Sequence, residues 1–135
     1  SDLNNLEPVG RLKTIITQIK DTPKGSSIGY SRSDFADEDL TIAVIPIGYA
    51  DGFSRKLSNG KGHVLINGKL AAVIGYVCMD MTLINVTDIQ CEEGDEVIIF
   101  GIERPIEDLA KEMGTISYEV MTSISQRVVR VYLED

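Results

Sequence analysis

Tryptophan is missing from this chain, histidine occurs once and cysteine twice. With one histidine, any Ser-His-Asp or Cys-His arrangement would have to use His63. His63 follows Gly62 at the start of an apolar run and reads as a surface turn residue. No cluster has zinc-ligand spacing and no glycine-rich phosphate loop is present. The "CMD" at 78–80 pairs one soft and one hard ligand type but lacks the further partners a metal needs, so no metal is expected. Cys78 reads as a small apolar packing group. Two cysteines without a framework suit a reducing compartment, and a cytoplasmic location is expected.

Positive charge is scarce as well. Lys and Arg total 13 against 21 Asp and Glu, a formal net charge of −8, with no basic stripe, which argues against a nucleic-acid partner. The acidic residues fall in short clusters, "DFADEDL" and "CEEGDE", that read as solvated turns. No apolar run reaches the roughly 18 residues a membrane helix needs, and "SDLNNLEPVG" has no signal-peptide features.

What is present suits one soluble domain. At 135 residues and 43% apolar content the chain can bury a core without disulfides. Most of it reads as short strands. "LKTIITQIKDTP" is a strand broken by Pro23, and "SIGYSRS" is a short strand or strand-to-loop piece. "LTIAVIPIGYA" reads as a buried strand in which Pro46 marks a bulge or an edge. Asn67-Gly68 between two apolar runs predicts a β-hairpin with a type I′ turn. "MTLINVTDI", "GDEVIIFG" and "RVVRVYLE" supply further strands. In "RPIEDLAKEM" the spacing of Ile106, Leu109, Ala110 and Met113 predicts a helix, with Pro105 at its start and Gly114 as its stop. "TISYEVMTSIS" predicts a second, with Thr115 as cap. The expected fold is mainly β: a closed or partly closed barrel with one or two short helices near the C-terminus.

Tyr30 after Gly29, Tyr49 after Gly48 and Tyr118 after Ser117 each follow a small residue at an element end. A phenol ionises near pH 10, so a phenolic base working near pH 7 needs its pKa lowered by about 3, or about 4 kcal/mol. Neighbouring cations must supply that, and few lone cations in this chain are poised to do so. Residue types and spacing therefore lead only to a β-rich domain contributing polar rim residues to a site.

"GYADG…NGK…CMD…ISYE", in this order, resembles the C-terminal domain of alanine racemases, pyridoxal-phosphate enzymes built from a β/α barrel plus a β-domain. "IGYSRS", "GDEVIIFG" and "SQRVVRVY" continue the likeness from about residue 10 to 132. The resemblance implies a single β-domain, residues 1–135, cut from a longer chain with an N-terminal barrel. That barrel holds the lysine to which pyridoxal 5'-phosphate is covalently bound. None of the lysines here sits in such a motif. The parent would be a homodimer in which the β-domain of one subunit meets the barrel of the other, with an amino acid as substrate.

Carried over by position, the resemblance makes Tyr30 the catalytic base on one face of the cofactor-bound amino acid. Tyr30 lies 19 residues before Tyr49, the family's spacing. Barrel groups of the partner would keep its phenol poised for proton transfer. Tyr49 resembles the residue that narrows the site to a substrate as small as alanine, with Asp51 and Gly52 holding its turn. Met79 resembles a contact to the substrate carboxylate through its backbone, and Asp80 a neighbouring support. Tyr118 resembles the hydrogen-bond donor to the cofactor phosphate, and Arg55 an arginine at the site's entrance. Two departures stand out. Tyr76 occupies a place where many members carry arginine, and "GYSRSD" surrounds Tyr30 where glycine and threonine are commoner after the tyrosine. The implied activity is interconversion of L- and D-alanine by two-base proton transfer, feeding cell-wall synthesis in a bacterial cytoplasm. The isolated domain would be inactive. The alternatives are a serine or broad-specificity racemase, a basic amino-acid decarboxylase (disfavoured by "GYADG" and "ISYE"), and a non-catalytic β-domain for assembly.

Overall fold

The computed structural model describes residues 11–28, 35–123 and 133–134 of the chain. Eight strands form one sheet: β1 (Arg11–Ile15), β2 (Gln18–Thr22), β3 (Leu40–Ile45), β4 (His63–Ile66), β5 (Lys69–Ile74), β6 (Thr82–Asn85), β7 (Glu96–Phe100) and β8 (Leu133–Glu134). Among the described residues two helices follow β7, α1 (Ile106–Met113) and α2 (Ser117–Ser123). Every strand pairing is antiparallel, in the order β2-β3-β6-β5-β4-β7-β1-β8.

That order curls the sheet. β1 and β2 are neighbours in sequence but pair at opposite ends of the sheet, β1 with β7 and β2 with β3. The exchange occurs between two adjacent residues: the Ile16 N–H donates to the Asp95 carbonyl and the Thr17 N–H to the Val44 carbonyl. The sheet must therefore curl until β1 and β2 come together at Ile16–Thr17, which gives a partly closed barrel: no ladder joins β2 to β1 or β8 among the described residues. Ile16, Ile45, Val64, Ile66, Val73 and Ile84 fill the interior. The reading of 12–23 as one strand is corrected to two, because the segment changes partners midway.

The hairpin forms as expected. Asn67 (φ 49°) and Gly68 (φ 82°) both take the positive φ of a type I′ turn between β4 and β5. β3 stops at Ile45, so Pro46 follows the strand and is neither a bulge nor an edge residue; β3 lies inside the sheet between β2 and β6. In α1, Pro105 stands at the N-cap, and Gly114 ends the helix in the left-handed region at φ 72°. Leu109, Ala110 and Met113 turn inward to the barrel. Thr115 makes a side-chain hydrogen bond to Glu119 in the first turn of α2 from two residues before the helix begins; the cap position falls to Ile116, whose carbonyl accepts the Glu119 and Val120 N–H groups, and the reading of Thr115 as cap is corrected. Among the described residues, no helix is long and apolar enough to cross a membrane. Most of the predicted "SIGYSRS" and "RVVRVYLE" strands lies outside the described residues; of the latter, Leu133–Glu134 is seen as a strand paired with β1.

Candidate active-site surface

After β3 the chain runs into a 3-10 turn at Tyr49–Asp51, then a second at Arg55–Leu57. The first turn is held from within. The Asp51 carboxylate, 1% exposed, accepts the Gly48 N–H at 3.1 Å, and the Gly48 carbonyl accepts from Asp51 and Phe53. It is also held from outside. The Tyr49 N–H donates to the Cys78 carbonyl and the Ala50 N–H to the Met79 carbonyl, both at 2.9 Å. Gly48 permits this contact: a Cβ there would lie 2.2 Å from the Cys78 oxygen. The Thr82 hydroxyl, at the start of β6, donates to the Ile47 carbonyl at 2.6 Å and fixes the approach to the turn. The "GYADG" and "CMD" segments are thus one backbone-bonded unit at the end of the barrel.

Its Tyr49 and Met79 side chains face outward, whereas that of Asp51 is buried. Tyr49 is 45% exposed, Met79 56% and Tyr118 59%, large for apolar residues on well-bonded backbone. Tyr76, the departure noted above, is exposed three residues before Met79. The Arg55 guanidinium lies 5.6 Å from the centroid of the Tyr49 ring, a cation–π contact that holds the ring at the rim. Asp80 is exposed on the same loop as Met79. Tyr118 stands in the first turn of α2. Asp51 and Phe53 line one small internal gap together with Met113 of α1 and Val120 of α2, so the Tyr49 turn packs over the helix pair. Ser54 and Lys56 border an open cleft with Thr115 and Glu119. Tyr30 lies outside the described residues.

His63 does not stand free in a turn. Its backbone N–H and its ring Nδ1 both meet the Glu112 carboxylate of α1, at 2.9 and 2.8 Å. Arg104, buried, donates to the same carboxylate at 2.5 Å and to the His63 carbonyl at 3.1 Å. These partners are 49 and 41 residues from His63, so local sequence carried no sign of them. The cluster ties α1 to the barrel, and the reading of His63 as a surface turn residue is corrected. Burial pushes the Cys91 thiol above its ordinary pKa, with the Asp95 charge adding to it, which suits an inert thiol. Among the described residues no group of His, Cys, Asp and Glu could hold a metal.

The family model for the alanine racemase C-terminal domain matches residues 9–132. This chain belongs to the alanine racemase C-terminal domain family. Alanine racemase from Clostridium novyi (strain NT) is 44% identical over 136 residues, covering 96% of this chain and 35% of that protein. Alanine racemase from Methanococcus maripaludis is 42% identical, with 96% and 35% covered. The crystal structure of alanine racemase from Bartonella henselae, with covalently bound pyridoxal phosphate, superposes with a TM-score of 0.80 at 33% identity, covering 87% of this chain and 33% of that one. Alanine racemase of Clostridium difficile 630 in complex with cycloserine gives 0.78 at 43% identity, with 87% and 32% covered. The chain spans about a third of the length of these racemases. The mainly β barrel with two C-terminal helices is the architecture shared with these racemase structures.

Proposed function

We propose that this chain is the β-domain of an enzyme that interconverts L- and D-alanine. It works joined to a lysine-bearing β/α barrel, in a cytoplasmic homodimer whose sites are shared between subunits. When bound, pyridoxal phosphate supplies the electron sink that lets the amino acid's α-proton leave. The donor set of this chain fits a supporting share in that site. Exposed phenols at Tyr49 and Tyr118 suit hydrogen bonding to an anionic ligand, and the clustered loops offer no lysine on the Tyr49–Met79 unit.

The carrying observation is the Tyr49–Met79 unit: two large side chains held outward on backbone that is bonded on both sides. A site that must discriminate by size needs walls that do not yield. In this reading the Tyr49 ring, stacked by Arg55, narrows the opening. The Met79 backbone meets the substrate carboxylate, with Asp80 beside it. The Tyr118 hydroxyl meets the cofactor phosphate. Tyr30 removes or returns the α-proton on the face opposite the barrel lysine, and cations of the barrel keep its phenol poised.

Tyr30→Phe in the full-length enzyme tests this. It keeps the ring and deletes the hydroxyl. Racemisation is expected to fall by about 10²- to 10⁴-fold, the usual worth of a positioned acid–base group, and unequally from the two enantiomers. Undiminished rates from both L- and D-alanine would overturn the assignment.

A further inference from the structure

We infer that Asp51 is a positioning residue for this reaction: its buried carboxylate sets the direction in which the Met79 N–H points. The inference rests on the racemase reading and adds a residue that touches neither substrate nor cofactor.

The chain of contacts is short. The Asp51 carboxylate accepts the Gly48 N–H at 3.1 Å and so draws Gly48 over the start of the Tyr49 turn. Gly48, lacking a side chain, lies flush on the backbone of Cys78 and Met79. The Cys78 and Met79 carbonyls then accept the Tyr49 and Ala50 N–H groups. No peptide bond among the described residues is cis. In a trans peptide the N–H points opposite to its own carbonyl. With the Cys78 carbonyl turned toward Tyr49, the Met79 N–H must point away from that turn. With the Met79 carbonyl turned toward Ala50, the Asp80 N–H must do the same. Two successive amide N–H groups are thus aimed off one side of the loop, an arrangement that suits a carboxylate. The Asp51 carboxylate is buried, and its bond to the Gly48 N–H holds the turn on which both directions depend.

The test uses the full-length holoenzyme. Asp51→Ala is expected to raise the KM for alanine about tenfold, the worth of a charge-assisted hydrogen bond, while kcat stays within about twofold. Inhibition by propionate, which has a carboxylate but no amine to react, should weaken by the same factor, with pyridoxal phosphate affinity unchanged. Asp51→Asn, whose amide oxygen still accepts, should recover part of the loss. If Asp51→Ala does not fold, Asp51→Asn and Gly48→Ala decide. Each should raise KM and the propionate constant together, and the pair combined should add little, because both loosen one joint. An unaltered KM, or a fall in kcat alone, overturns the inference. Tyr30→Phe in the same preparation separates the two claims. If it abolishes racemisation while the Asp51 variants leave KM intact, only this inference falls. If it leaves racemisation intact, the assignment of Tyr30 falls and this inference is judged on the Asp51 variants alone; if the unaltered full-length holoenzyme does not interconvert L- and D-alanine, the racemase reading falls and takes this inference with it.

Discussion

Glu112 is the residue on which the most distant contacts converge. Its carboxylate meets the His63 ring and backbone and the Arg104 guanidinium, with side-chain exposures of 19% for Glu112 and 5% for Arg104. Removing one member of such a pair leaves the other charge in a poor solvent, which costs more than the pair contributes net. Glu112→Ala is therefore expected to destabilise the chain by about 3 kcal/mol and to lower Tm by about 10 °C. Arg104→Met with Glu112→Met together should cost less than the sum of the single changes, because no orphaned charge remains. Thermal unfolding of the four proteins measures this, and strictly additive losses would contradict the coupling. None of it was legible in the sequence. His63 beside Gly62 looks like a turn residue until α1 is folded across it. Asp51 was legible as a turn holder, but its burial was not, since that depends on the helix pair packing over the turn.

Elements set by local chemistry were readable, and those set by pairing were not. Asn67-Gly68 forces a hairpin through its own φ preferences, and Pro105 and Gly114 bracket α1 through theirs. The division of 11–22 into β1 and β2 depends on which strand lies beside each half, which no local window contains. The same separation of local and distant causes bears on α1 and α2. α1 docks through Leu109, Ala110 and Met113, and the Thr115 N–H donates back to the Ala110 carbonyl, so α2 inherits its position from α1. Leu109→Ala deletes a fully buried side chain and is expected to cost about 3 kcal/mol. Amide exchange should show the loss unevenly, with protection falling throughout α2 and little changed in the β4–β5 hairpin. Equal loss in both would mean that α2 is anchored independently of α1.

At the scale of the whole molecule, the partly closed barrel buries its core while several large side chains stay on its outward surface. Tyr49 and Met79 stand exposed on one backbone-bonded unit, with Tyr76 exposed on the loop before Met79 and Tyr118 exposed on α2, and exposed large side chains on firm backbone suit the contact surface that the proposed function requires. The lysines lie elsewhere in character: Lys20, Lys24, Lys61, Lys69 and Lys111 project into water, Lys56 is exposed at the border of the open cleft, and Lys13 is bonded to Glu96. None has the enclosing walls that keep water from a covalently held cofactor. Under the proposed function, the barrel and its helices would supply phenols and loops to a racemase site and leave the covalent anchor to another domain. The chain alone, incubated with pyridoxal phosphate and L-alanine, is accordingly expected to form D-alanine no faster than the free cofactor does. The same chain joined to a lysine-bearing barrel should exceed that rate by many orders of magnitude, as enzymes do. Chiral analysis of alanine over time decides it. D-alanine appearing above the cofactor-only rate with the chain alone would place a competent lysine among these 135 residues and overturn the division of labour between the two domains.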